Sequence, residues 1–294
     1  TTTIDPSNQG DDAKKRIPGR DFDGEFSSGH YSCGARRLFN SSSNGCPALA
    51  RLSSRMQIGK DITMLIGYDE TDERRMLRDT VRAFAEKEMK PLIAQAEADQ
   101  RFPLQLLKQM GDLGLLGVNG PEEYGGGGQG MVEAVIVHEE LGRVSIGFLS
   151  GILVAGYLSP SAIWAVGTHE QKQKYVLPAL RGEAVTAFGA SEANAGNDIR
   201  GIKTIARDCG DHYLINGHKT FNTMGPVASS EVILAYLDRG DEGDRPMVFL
   251  LVDIDTPGVE VVRVRKHAFK CTDMGEVFLT DVKVPKENLL PNKS

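Results

Sequence analysis

One tryptophan, four cysteines and 6% aromatic residues are what this 294-residue chain has least of. Cys33, Cys46, Cys209 and Cys271 lie far apart, with no C-x-x-C pair and no histidine at metal-ligand spacing. That pattern excludes a disulfide framework and a zinc site, and it is the thiol usage of a reducing, cytoplasmic compartment. No lysine/arginine run exceeds three residues and the formal net charge is −6, which leaves no footprint for a nucleic acid. What is present is ordinary globular material. With 40% apolar and 25% charged residues, most of the chain can bury about two domains at ~100–200 residues each.

Residues 144–168, VSIGFLSGILVAGYLSPSAIWAVGT, carry no charge over 25 residues, and about 20 suffice to span a bilayer. Four serines, four glycines and Pro160 interrupt the stretch, and Arg143 and His169-Glu170 flank it. A buried core helix or helix pair is expected, not a membrane span.

Residues 1–63 are different in kind. They are rich in serine, glycine and arginine, with no acidic residue between Glu25 and Asp61, and no apolar period lasts two helical turns. A disordered or non-native leader is expected, with Met64 as the natural start. The composition also resembles a mitochondrial transit peptide, which keeps a matrix location as the alternative, but acidic residues from Asp5 to Asp23 precede the basic part.

From Thr71 the pattern turns helical. Thr71 can cap, Asp72 and Glu73 fall in the first turn, and Met76, Leu77, Val81 and Phe84 form an apolar stripe. Pro91 is expected to end that helix and start the next. Further helices are expected at 103–114, 130–143, 146–166 and 169–181, the last capped by Thr168 and stopped by Gly182. After Gly182 come β-favouring runs such as HYLINGHKTF, EVILAYL and MVFLLVDI, punctuated by Gly, Asp and Pro. A helical block followed by a strand block predicts an α+β chain: an all-helical domain over 64–183, then a β-sandwich- or barrel-like domain over 184–288.

Several tempting motifs read more simply as structure. The Gly125–Gly128 run lacks the Lys-Ser/Thr of a P-loop and follows no predicted strand, so a flexible turn is expected. Ser191 in GASEA does not fit G-x-S-x-G. His138 and the Glu122-Glu123 pair read as solvated positions. The loop FGASEANAGND, residues 188–198, is more informative, because small residues and short polar side chains after a strand suit a flat heteroaromatic ligand. Phe221 and Thr223 are two apart on a predicted strand and so share a side: an aromatic wall and a hydroxyl together.

Five segments in order resemble the acyl-CoA dehydrogenase family: PEEYGG (121–126), GTHEQKQKYVLPALRGE (167–183), AFGASEANAGND (187–198), INGHKTFNTMG (215–225) and DVKVPKENLL (281–290). The resemblance covers about residues 67–291. It implies FAD as cofactor, with Phe188, Ala190 and Ser191 at the flavin ring, Phe221 in place of the tryptophan that walls it, and Thr223 near its hydride-accepting nitrogen. Asn197 matches a serine that contacts the acyl-CoA. The sequence departs from the pattern at Ala193, Asn197 and Phe221, has Asn222-Thr223-Met224 for Ile-Thr-Asn, and has Lys266, Ala268 and Lys270 for Lys-x-Gly-x-Arg.

The family's C-terminal helical bundle, which carries its catalytic glutamate, would begin at about residues 289–294, so no residue of this chain maps onto the base. The resemblance implies α,β-dehydrogenation of an acyl-CoA thioester, electron transfer to an electron-transferring flavoprotein or similar acceptor, and a homo-oligomer when complete. Two alternatives stand beside it: a non-catalytic flavin- or acyl-CoA-binding pseudoenzyme, and a helical interaction module.

Overall fold

The Thr71 hydroxyl accepts from the Arg74 N–H at 3.3 Å, with Asp72 and Glu73 in the first turn, so the dipole and one orphan donor are met together. This is the start of a computed structural model that describes residues 70–240 and 245–291; the leader of 1–63, its proposed Met64 start, Cys33 and Cys46 lie outside the described residues. Helix α1 (Asp72–Phe84) runs into a π-helical segment, Ala85–Met89, and then α2 (Lys90–Asp99) without a break. Pro91 therefore does not end the helix. Of the expected stripe, Val81 and Phe84 are buried and Leu77 is half-buried, whereas Met76 is 70% exposed.

The same device recurs twice. Between α5 (Ile146–Ile152) and α6 (Ser159–Val166) lies the π segment Leu153–Leu158, and between α7 (His169–Gln171) and α8 (Leu177–Leu180) lies Lys172–Val176. Each π segment ends two residues before a proline: Pro91, Pro160 or Pro178. Proline has no N–H and its ring meets the carbonyl four residues back; widening the turn by one residue relieves both, so the helix continues.

The remaining helices of this part are α3 (Gln105–Asp112) and α4 (Met131–Val144). Within α4, Glu140 is buried and accepts from Arg82, Arg78 and Arg143, each at 2.9 Å. The Arg82 hydrogen bonds lead in pulling its carboxyl down to about 2, against the opposing effect of burial. His138 is not solvated either. It is half-buried, its ring meets Tyr157 edge-on at 4.3 Å, and burial lowers its pKa. Thr168 and Gln171 form a reciprocal capping box, and Gly182 stops the run at φ +67°.

Ile146–Val166 is long and apolar enough to cross a membrane, and 61% of its most apolar window is buried inside the structure. Phe148 stacks on Phe102 with ring centroids 4.9 Å apart, and Phe148, Ile152 and Ile163 are fully buried. Their cluster takes in Val81, Met110 and Leu141 from other helices, Val232 and Leu251 from the sheet and Met224 just after one of its strands, while a second cluster with Ile215, Ile233 and Val277 lies within the sheet.

The strands are β1 (Thr186–Gly189), β2 (Ile205–Asp208), β3 (His212–Thr223), β4 (Ser230–Asp238), β5 (Met247–Asp253), β6 (Val259–Arg263) and β7 (Met274–Pro285). They form one mixed seven-stranded sheet, the barrel-like of the two expected forms and not two stacked sheets. Along one edge β4 pairs in parallel with β1 (Thr186 opposite Ser230) and then β2 (Ile205 opposite Tyr236); along the other it pairs antiparallel with β5. Antiparallel pairing then continues from β2 to β3, β7 and β6.

Candidate functional site

Two segments far apart in sequence meet at the end of β3. The backbone N–H of Thr220 donates to the Ser191 carbonyl at 2.9 Å. The Lys219 ammonium donates to the Ala190 carbonyl at 3.2 Å and to Glu192 Oε1 at 2.8 Å. Glu192 also accepts from the Lys203 N–H at 2.6 Å and from the Thr204 N–H and hydroxyl at 3.1 and 2.6 Å. Burial pushes the Glu192 carboxyl up, but its hydrogen bonds to Lys219 and Thr204 outweigh that and hold it below the usual range. For Lys219 burial wins and lowers the pKa, Glu192 opposing. The sequence gives no reason to cast Glu192 as a base, and here it anchors the loop.

Pairing of β3 with β7 slips by one residue between Lys219 and Asn222, a β-bulge. Lys219 and Asn222 are both buried, Phe221 is 72% exposed at φ +54°, and Thr223 is half-buried. Strict alternation would put Phe221 and Thr223 on the inner side with Lys219. The extra residue turns both outward, still sharing a side as their spacing predicts, with the buried Asn222 between them. Met224, at φ +66°, then donates its N–H to the Asp273 carbonyl at 2.9 Å.

Of the six residues singled out from sequence, the structure thus gathers Ala190, Ser191, Phe221 and Thr223. Neither the Ser191 nor the Thr223 hydroxyl is hydrogen-bonded to another described residue, and the buried Thr220 hydroxyl also lacks a partner. Phe188 contributes mainly backbone, because its ring is half-buried against Phe249 at 5.6 Å. Asn197 stands apart: it is exposed and makes no hydrogen bond to another described residue. Phe221 is exposed, so this face is open; cavities of 350 to 540 Å³ lie elsewhere among the described residues, and none of them is lined by these six. No cluster of metal-ligating side chains occurs among the described residues.

The Gly125–Gly128 turn is packed and not flexible. A β-carbon on Gly126 would lie 2.3 Å from the Gly120 carbonyl carbon, and the N–H groups of Gly126, Gly127 and Gly128 bond the carbonyls of Pro121, Gly117 and Gly120. No donors are left to cradle a phosphate. Sequence reading missed Lys219, although it shares strand parity with the buried Tyr213 and Ile215, a signal that marks an inward lysine in need of a carboxylate.

The acyl-CoA dehydrogenase N-terminal domain matches residues 71–183, and the acyl-CoA dehydrogenase middle domain matches 187–282. The chain belongs to the acyl-CoA dehydrogenase family. It is 35% identical over 226 residues to a probable acyl-CoA dehydrogenase of Bacillus subtilis, covering 76% of this chain and 60% of that one. It is 36% identical over 226 residues to a short-chain specific acyl-CoA dehydrogenase of Clostridium acetobutylicum, covering 76% and 59%. A glutaryl-CoA dehydrogenase of Mycobacterium smegmatis, solved in complex with FADH2, superposes with a TM-score of 0.70 at 30% identity, covering 75% of this chain and 56% of that one. The chain spans about 60% of the length of the curated relatives it matches. All six candidate residues fall within the middle-domain match.

Proposed function

We propose that this chain is the N-terminal and middle part, divided near residues 183 and 184, of an FAD-dependent dehydrogenase that desaturates an acyl-CoA thioester between its α and β carbons. The observation that carries the reading is the outward Phe221–Thr223 pair, fastened beside the free Ser191 hydroxyl by the Thr220–Ser191 hydrogen bond. A ring-shaped group fits these residues: one exposed phenyl offers a wall, and the partly exposed Ser191 and Thr223 carry unpartnered hydroxyls on the segments that flank it.

In this reading Phe221 covers one side of the isoalloxazine, Thr223 and Ser191 donate to its polar edge, and the backbone at Phe188 and Ala190 borders it. Bound FAD supplies the acceptor for the hydrogen that leaves the β carbon with its electron pair. Asn197 faces the acyl-CoA, where its amide offers both a donor and an acceptor. The α-proton needs a base at hydrogen-bond reach. Glu192 does not qualify, because Lys219 and Thr204 already engage it. We assign the base to the part of the protein that its relatives have beyond this length, together with the second wall of the open face.

The electron acceptor on this reading is an electron-transferring flavoprotein or similar carrier, and the complete enzyme is a homo-oligomer of the cytoplasm or of the mitochondrial matrix, with Ile146–Val166 a core helix and not a membrane anchor. Asn197, where the family pattern has a serine, also favours a second reading, a flavin- or acyl-CoA-binding protein without turnover. The test is to titrate the 294-residue chain with FAD and to assay acyl-CoAs of several lengths with an artificial electron acceptor. Weak FAD binding, lost in Phe221→Ala and Thr223→Val, with no turnover is the expected result. Binding indifferent to both substitutions overturns the site. Turnover by this chain alone overturns the placement of the base.

A further inference from the structure

Glu231, the second residue of β4, is fully buried, and so is Asn222 at the end of the β3 bulge. The Asn222 amide Nδ2 donates to Glu231 Oε2 at 2.9 Å. The other oxygen of each group, Glu231 Oε1 and Asn222 Oδ1, is buried without any partner. A β-carbon on Gly225 would lie 2.2 Å from Asn222 Oδ1 and 3.2 Å from Glu231 Oε1, so both orphaned oxygens turn toward the space that this glycine leaves. Two acceptors that share a buried space need a hydrogen between them.

We propose that Glu231 is a neutral carboxylic acid closed into a reciprocal pair with the Asn222 amide, and that this pair positions the bulge that presents Phe221 and Thr223. One proton on Oε1 turns it into a donor for Oδ1, which satisfies both orphans at once. An ionised Glu231 would leave an anion with one hydrogen bond and no cation. The charged groups of the neighbouring elements are engaged elsewhere: Lys219 on β3 by Glu192 and the Ala190 carbonyl, Asp253 on β5 by Lys174, and Asp273 before β7 by Arg263 and the Phe102 N–H. β1 brings no titratable side chain to Glu231: Ala187 lies opposite it in register, and a β-carbon on Gly189 would lie 3.1 Å from Oε2. Burial pushes the carboxyl up to about 8, with the Asn222 hydrogen bond opposing.

The mechanical consequence lies in β3. Asn222 is where pairing with β7 resumes, opposite Gly275. Held inward by Glu231, it forces the residues on either side of it outward. Where the family pattern has isoleucine, this chain has Asn222, and Glu231 is its partner. Only what the bulge presents rests on the function proposed above; the pair itself does not.

The experiment uses the full chain without flavin and its Glu231→Gln variant, in which an amide preserves both hydrogen bonds. At about pH 6.5 exposed carboxyls are ionised, so the infrared carbonyl band of a protonated acid should appear in the parent chain and vanish in E231Q. Because the folded pKa lies above the unfolded one, the parent is relatively most stable at low pH. Its folding constant should fall against that of E231Q by about tenfold per pH unit between roughly 4.5 and 8. Backbone amides of residues 220–224 should exchange at least about tenfold faster in Glu231→Ala and return to the parent rate in E231Q. Absence of the acid band, or the same pH dependence in parent and E231Q, overturns the neutral pair. Unchanged exchange in E231A overturns its positioning role. FAD titration of the same proteins decides the function separately.

Discussion

Lys219 and Glu192, 27 residues apart in sequence, meet at 2.8 Å with neither side chain more than 8% exposed. Two charges out of water hold together only when each has a partner and its other valences are met. Here Thr204 and the Lys203 N–H complete Glu192, and the Ala190 carbonyl helps to complete Lys219. The pair closes the loop after β1 onto β3 and so sets where Ser191 stands relative to Phe221.

Lys219→Met is therefore expected to destabilise the protein by about 3–5 kcal/mol, since it strands a buried carboxylate. Adding Glu192→Gln should recover part of the loss. Urea denaturation of the single and double variants measures both, and a loss in the single variant below about 1 kcal/mol would show the pair to be dispensable.

On the proposed function, Thr223→Val in the complete enzyme should slow flavin reduction more than it weakens acyl-CoA binding. A hydroxyl donor whose partner stays buried is worth about 1–3 kcal/mol, or roughly 5- to 150-fold. Stopped-flow bleaching of the flavin gives the rate and substrate titration the affinity; equal losses in both would count against this role.

The arginine cluster around Glu140 gives the helices an acid-sensitive element. The folded carboxyl sits at about 2, below its ordinary value of 4.5, so its contribution is complete above about 4.5 and disappears as pH falls toward 2. Glu140→Gln should cost about 3 kcal/mol at neutral pH and flatten the acid limb of stability. An acid limb identical in parent and variant would assign it to other carboxylates.

Gly182→Ala tests the junction between helices and sheet. Gly182 has φ +67°, and a β-carbon there would fall 2.1 Å from the Leu107 carbonyl oxygen. Backbone strain alone costs about 1–3 kcal/mol, and the collision adds to it. The melting temperature should drop by several degrees, and an unchanged value would mean that α3 and the junction can move apart.

Much of this architecture was legible in the residues. Thr168 and Gln171 announce a helix start, Gly182 its stop, and the switch from helical period to β-favouring runs marks where strands begin. The small-residue loop at 188–198 and the Phe221–Thr223 spacing led to four residues that the fold gathers. Local pattern failed where a distant partner decides the outcome. His138 looks like a solvated position, yet it packs on Tyr157, and Glu140, two residues on, collects arginines from α1 and from its own helix. Met76 fits an apolar stripe by spacing but is left exposed among the described residues. Nothing in the pattern of β4 reveals that the complement of Glu231 is Asn222, nine residues earlier, because the bulge in β3 and the turn after it bring the two together.

The π turns ahead of Pro91, Pro160 and Pro178 bear on how the helical part can change over generations. A helix that absorbs one surplus residue in a wider turn accommodates an insertion in place, without extruding a loop. Each such turn rotates everything downstream by roughly 100°, the arc of one residue, so the face that meets the core changes at the joint. The long apolar helix is thus two shorter surfaces set at an angle, and each can be altered to fit its own neighbours while the other keeps its contacts.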